Sequence, residues 1–425
     1  MRHLYANRFG LAAAVTLGVI VASPRAARAD VVIFEKDPWS VWTSGRSAAH
    51  YQFILGGGTP TPSAPGVVLT GFRNDAATDE NNNVATSRIR SGWVGTQLGF
   101  GVANQLTPTT KIKAFFAISV ADITNDREKT TDKLVDFREA WTTIEGSFGT
   151  VKFGRALSIF GPALAGSVYM YSYGNAVGHP CTIDGQAITC GPINAGAIYP
   201  GFNAQLSYAT PNLNGFGAKI GLFDPSLPSL ADGTYPYTLR PLPRVEGELS
   251  YEYPLGNKDK VVVFGEGLWQ RMGRLDNPMA PTTTLFTDAV GGIAAARFEM
   301  AGFRIGGGYW AGKGLGTGVP LQPGQAVDPT GELRTFSGYM AHANYMIGDT
   351  ELGAGIGKSI VNETDNDRNT PLQSLIKSNT AFHVLAFQHI GPLILGLEFT
   401  HWISEWHRGE KQSLNFMGGG VNFLW

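Results

Sequence analysis

The sequence predicts an all-β fold: a transmembrane antiparallel β-barrel of about sixteen strands, with long outer loops and short periplasmic turns. Three observations carry this expectation. Segments of alternating apolar and polar residues recur, short turns alternate with long polar stretches between them, and aromatic residues gather near segment ends.

The alternation is plainest in Arg244-Val-Glu-Gly-Glu-Leu-Ser-Tyr-Glu-Tyr253. Successive strand residues point to opposite faces, so Arg244, Glu246, Glu248, Ser250 and Glu252 share one wall and Val245, Gly247, Leu249, Tyr251 and Tyr253 the other. Phe202 to Tyr208 sets Phe202, Ala204, Leu206 and Tyr208 against Asn203, Gln205 and Ser207. Lys111 to Val120 sets Ile112, Ala114, Phe116 and Ile118 against Lys111, Lys113 and Ser119. Leu393, Leu395, Leu397 and Phe399 form a further apolar face.

Short turns are predicted at Leu106–Thr110, Gly146–Gly149, Asn212–Gly215, Gly256–Lys260, Met300–Gly302, Gly348–Thr350 and Gly391-Pro392. Long polar stretches lie near 55–84, 121–134, 158–200, 224–241, 273–285, 313–332, 362–377 and 404–411. Turns on one rim and loops on the other distinguish a barrel from a sandwich, which would not need so many strands. Trp93, Trp141, Tyr251, Tyr253, Trp269, Trp402 and Trp425 stand near strand ends, as interface girdles require. Charged residues are 16% of the chain and mean hydropathy is near zero, the intermediate signal of strands with one apolar and one polar face.

Residues 1–29 read as a signal peptide. Arg2 and Arg8 give a positive start, Leu11 to Ala22 is apolar, and Ala27-Arg28-Ala29 fits a cleavage site before Asp30. Residues 30–425 then form a single barrel domain. Without residues 1–29 the chain carries 29 basic against 34 acidic residues, a mildly acidic balance that gives no nucleic acid a footing.

Arg138-Glu-Ala-Trp-Thr-Thr-Ile-Glu-Gly-Ser-Phe-Gly-Thr-Val-Lys-Phe-Gly-Arg155 resembles the fourth and fifth strands of the Gram-negative trimeric porin family. Those strands read close to R-E-A-Y-V-G-L-x-G-x-F-G-T-V-x-x-G-R. Arg90-Ser-Gly-Trp-Val-Gly95 is similar to the family's R-x-G-F-x-G. Tyr208-Ala-Thr-Pro211, then Asn214-Gly-Phe216, is similar to Y-x-S-P followed by G-F. Trp425, with Phe423, Val421 and Met417 on its face, resembles the terminal strand read by barrel-assembly machinery.

The resemblance implies an outer-membrane homotrimer in contact with lipid and lipopolysaccharide. Each sixteen-stranded subunit would be a water-filled channel for small hydrophilic solutes, narrowed by loop three (156–200) folded into its lumen. It places Arg90 and Arg138 on the pore wall; period two adds Arg88 beside Arg90, and Lys111 beside Lys113. The family's acidic loop-three motif is absent, leaving Asp184 as the loop's one carboxylate, and a third wall arginine is missing at Gly201–Asn203. A basic wall facing a nearly uncharged loop suggests weak anion preference, against which stand Glu246, Glu248 and Glu252.

Cys181 and Cys190 bracket a near-symmetric stretch inside loop three, in which a turn at Asp184–Ala187 would bring them opposite each other. An exported chain favours a disulfide there, with free thiols the alternative. Gly353-Ala-Gly-Ile-Gly-Lys-Ser359 lacks the first glycine of a phosphate-binding loop and alternates like a strand. The histidines show no metal spacing and no G-x-S-x-G elbow occurs, so neither an enzyme nor a cofactor is expected. Two other functions stay open: a selective channel with Tyr169, Tyr171 and Tyr173 as a sugar track, and a non-conducting structural or adhesive barrel.

Overall fold

The computed structural model describes residues 31–58, 81, 83–90, 96–120, 135–162, 164, 193–230, 233–256, 259–275, 283–369 and 375–425. Its strands are β1 (Val31–Lys36), β2 (Trp39–Gly58), β3 (Val84–Arg90), β4 (Gln97–Thr107), β5 (Thr110–Val120), β6 (Val135–Gly146), β7 (Gly149–Leu157), β8 (Phe202–Ala209) and β9 (Phe216–Phe223). They continue as β10 (Arg244–Gly256), β11 (Asp259–Leu275), β12 (Thr284–Met300), β13 (Phe303–Lys313), β14 (Thr335–Ile347), β15 (Thr350–Asn362), β16 (Ile376–Ile390), β17 (Leu393–Trp406) and β18 (Lys411–Leu424).

Strands β3 and β4 pair with successive stretches of β2, Tyr51↔Ile89 in the first and Trp42↔Gly101 in the second, so they are two halves of one wall strand. Each remaining strand pairs antiparallel with its chain neighbour, and β18 returns to β2 (Leu424↔Arg46). The result is a closed barrel of sixteen antiparallel strands, as the alternation predicts. Strand β1 is additional. It forms a hairpin with the first residues of β2 (Lys36↔Trp39, Val31↔Thr43), and its unbroken apolar run Val31–Phe34 has no period-two signal to announce it.

Every predicted short turn joins two wall strands, and every predicted long stretch falls between strands at the opposite rim. Local chemistry sets the turns. Asn214 and Gly215 both have positive φ (56° and 91°), the backbone that a tight hairpin needs and that Asn-Gly adopts at low cost. The Asn212 carboxamide oxygen accepts the Gly215 amide at 2.7 Å.

The outward face is apolar: Tyr51, Phe100, Phe116, Phe153, Leu206, Leu249, Tyr251, Tyr253, Ile305, Tyr309, Leu352 and Leu397 are all exposed. Bare large apolar side chains around a closed wall fit hydrocarbon, with aromatics such as Tyr208, Phe216 and Phe303 beside the short turns. The expected girdle needs correction at two tryptophans. Trp402 faces inward in a cluster with Ile54, Ala195, Ala381, Leu414 and Phe416. Trp141 also faces inward, its ring beneath the Lys152 ammonium. Nearness to a strand end does not reveal parity, and parity decides the face.

Candidate functional site

The lumen is the candidate site, and the inner face of every wall strand contributes to it. On that face lie His50 and Gln52 of β2, Gln205 of β8, Arg244, Glu246 and Glu248 of β10, Glu266 of β11, Asn344 of β14, Ser359 of β15 and Glu398 of β17, all buried.

Both described ends of loop three turn into this space. At its start, the amides of Ile159 and Phe160 donate to Glu246 Oε2 at 2.8 and 2.9 Å, and that of Gly161 donates to Glu266 Oε2. At its end, Gly196 N donates to Ser359 Oγ at 2.8 Å and Gly196 O accepts Trp310 Nε1 at 2.9 Å. The loop leaves β7 and rejoins at β8, yet it is bonded to β10, β11, β13 and β15; its ends therefore reach across the barrel. Phe160, Leu164, Ile193, Ala197 and Ile198 pack on Leu268, Ile293, Trp310, Phe336 and Met340 of the far wall. Burying such side chains stabilises the inward position by about 1.5–3 kcal/mol each.

Glycine makes this contact possible. A side chain at Gly196 (φ +97°) would meet Tyr339 O at 2.3 Å, and one at Gly357 would meet Ala195 O at 2.1 Å. Inward Gly353 and Gly355 of β15 likewise leave room for the His342 and His383 imidazoles, which approach each other at 3.0 Å. The Gly353–Gly357 repeat is thus a strand with a bare inner face.

The loop between β13 and β14 also folds inward. Tyr199 N donates to Gly318 O at 2.6 Å, and Thr317 Oγ1 bonds Asn194 Oδ1 at 2.8 Å, which joins this loop to loop three. Its other end is clamped by Arg334, whose Nε and Nη2 donate to the Asp367 carboxylate at 2.7 Å each. Burial pushes the Asp367 carboxyl up, but the Arg334 fork and the Thr364 amide and hydroxyl outweigh it and hold it below the usual carboxylate range. Asp367 lies in the one-turn helix Asp365–Asn369. Tyr237, Met272, Leu321, Val327 and Leu333 pack the same side of the long-loop rim.

The predicted lining residues are placed as follows. Lys111 and Lys113 are on the inward face of β5, Lys113 bonded to Glu145 at 2.7 Å. Glu246 and Glu248 are inward on β10, but their charges are engaged: Glu246 holds the loop-three amides and lies 2.8 Å from Arg244, and Glu248 lies 2.8 Å from Lys219. Glu252 lies 2.9 Å from Lys260. Arg88 and Arg90 occupy β3 positions paired with Gln52 and His50; their side chains are outside the described ones. Asp184, Cys181, Cys190, Tyr169, Tyr171 and Tyr173 fall outside the described residues.

Arg138 departs from expectation. It shares strand parity with the exposed Ala140, and its guanidinium lies 5.9 Å from the ring of Phe202, which begins the outward series Phe202, Ala204, Leu206 and Tyr208. Period two counted back from Ala140 gives this face without interruption, so the strand's own alternation prevails over the pore-wall position that the resemblance implies. Arg155 also falls outward, paired with Ala140 and Ala204. Inward Lys152 and Lys219 were missed, although period two places Lys152 opposite Phe153 and Lys219 opposite Ile220.

A family model described as Gram-negative porin matches residues 12–372. Similar solved structures include the outer membrane channel DcaP of Acinetobacter baumannii, at 13% identity and TM-score 0.65 over 92% of this chain and 99% of that one. An anion-selective porin from Comamonas acidovorans follows at 13% identity and TM-score 0.58, over 91% of this chain and 100% of its own. OmpT of Vibrio cholerae, described in a trimer form, gives 13% and 0.53 over 92% and 100%. At these identities the likeness is one of fold. No curated protein matches the chain.

Proposed function

Because the chain belongs to the Gram-negative porin family, we propose that it is an outer-membrane channel through which small hydrophilic solutes and ions diffuse passively. The observation that carries this reading is the wall itself: sixteen strands closed on one another, apolar outside and polar inside, with both described ends of loop three bonded to strands across the lumen. Such a wall transports by size and field and needs no catalytic group.

The finer features are part of the same proposal. Loop three (156–200) sets the constriction, stapled by a Cys181–Cys190 bridge, with Asp184 its one carboxylate. Residues 1–29 are removed on export. Three subunits associate, bearing on outer-membrane lipid and lipopolysaccharide, and the strand ending at Trp425 is read during assembly. Lys111 and Lys152 with Arg88 and Arg90 give the wall a basic side, while Lys113 and Lys219 are matched by Glu145 and Glu248 and Glu246 is matched by Arg244. A weak anion preference follows.

Reconstitution in a planar bilayer under a salt gradient tests the reading. Conducting insertions with linear current, in steps of three, and a reversal potential on the anion side are expected. Folded protein that inserts silently would remove the channel; a cation-side potential would remove the preference alone.

A further inference from the structure

One inward patch is used neither by loop three nor by the ion pairs. Across β2, β4, β5 and β6 the residues Trp42, Gly101, Phe115 and Trp141 are direct register partners on the lumen face. Phe115 and Trp141 stand 5.4 Å apart, centroid to centroid. A side chain at Gly101 would occupy the Trp42 ring (2.0 Å), and one at Gly99 the Phe115 ring (2.4 Å), so both rings lie over bare backbone. Three strand spacings make this strip about 15 Å long.

Among the described residues the other inward tryptophans, Trp310, Trp402 and Trp406, are buried, Trp310 bonded to Gly196 of loop three, Trp402 clustered with Ala195 and Trp406 in the same core cluster as Trp310. Trp42, Phe115 and Trp141 are not covered and stay partly exposed. One side of these rings packs on the glycine backbone, and the side turned to the polar lumen stays bare.

A cation closes one end of the strip. Lys152 Nζ lies 5.0 Å from the Trp141 ring centroid. Its basic neighbours Lys113 and Lys219 are matched by Glu145 and Glu248 at 2.7 and 2.8 Å, whereas Lys152 has no ion pair among the described residues. Glu139, the nearest acid on β6, is turned to Trp141 Nε1 at 2.8 Å and Gln97 Nε2 at 3.3 Å.

We propose that Trp42, Phe115, Trp141 and Lys152 form a binding strip for small organic anions with a flat apolar ring, the ring lying along the aromatic side chains and the carboxylate meeting Lys152. This rests on the channel reading and deepens it: simple ions pass unhindered, and ring-bearing anions pause. The apolar contact is sequence-distant and involves no loop, so it discriminates by solute shape as well as by charge.

Benzoate added to one side of a single reconstituted channel is the test, with acetate and benzylammonium as controls. Saturable interruption of current by benzoate alone is expected. Lys152→Gln and Trp141→Ala should each raise the half-blocking concentration about tenfold, the loss of one charge-assisted or ring contact, and Trp141→Ala, which removes no wall charge, should do so with unblocked conductance unchanged. Phe115→Leu, which keeps volume and loses the ring, serves if Trp141→Ala fails to fold. Equal block of wild type and variants, no block by benzoate, or block by acetate to the same degree overturns the strip while conductance upholds the channel. If folded protein never conducts, the channel reading falls; tryptophan quenching by benzoate, with Lys152→Gln as control, then decides the strip.

Discussion

Replacing Glu246 by alanine asks whether loop three is held by its root. The carboxylate is 1% exposed, accepts two amides at 2.8 and 2.9 Å, and lies 2.8 Å from the Arg244 guanidinium. Removing it strands a buried cation, which costs about 3–5 kcal/mol. Two orphaned amides add about 1–3 kcal/mol each where water is excluded. Lumen water and the surviving bond from Gly161 to Glu266 reduce this. A working figure of about 3 kcal/mol corresponds to a roughly hundredfold larger population with the root detached. The wall ladders are untouched, so the loss is local. Single-channel recording should show E246A with raised open-channel noise and greater mean conductance. The double variant R244A/E246A, which removes both charges, should recover part of the difference. Wild-type noise and conductance in E246A would refute the anchoring argument.

Gly196→Ala should lower the unfolding temperature and disturb conductance, because the new Cβ meets Tyr339 O at 2.3 Å in a backbone at φ +97°; Gly265→Ala, which meets nothing within 4 Å, should do neither. Acid should release the outer loops: the Asp367 carboxyl is held low in the folded protein, so its contribution is full above the ordinary value near ~4 and lost as pH falls through the lowered one. Pepsin digestion across that window should begin nicking 363–375, and D367N should be nicked without an acid step. Thiol labelling should find Cys181 and Cys190 reactive only after reduction; labelling of the untreated protein would remove the staple.

The barrel was legible because its signals are redundant. A strand such as Arg244–Tyr253 fixes its own faces, and each turn between neighbours repeats the sidedness of the last. What escaped was a place where the resemblance and period two disagree. Arg138 shares the outward face of Ala140, although the resemblance implies the pore wall. Contacts between distant segments were equally invisible. Glu246 and Glu248 read as free lining charges because their partners, the amides of 159–160 and Lys219, are remote or belong to backbone. Trp42, Phe115 and Trp141 scatter over a hundred residues of chain and meet only through register.

Closure of the wall also orders the birth of the molecule. The pairing of β18 with β2 joins residues more than 350 positions apart, and it ends with Gly45 and Trp425 exchanging backbone hydrogen bonds at 2.8 and 3.0 Å. Relative to a hairpin of about 20 residues, that is roughly four doublings of loop length, an added entropic cost of about 2.5 kcal/mol. The seam cannot form until β18 has been synthesised and delivered. Until then the sheet has two open margins of unsatisfied amides and carbonyls, each a template for a stray strand. Trp425 is thus a latch on the ring as well as part of its wall.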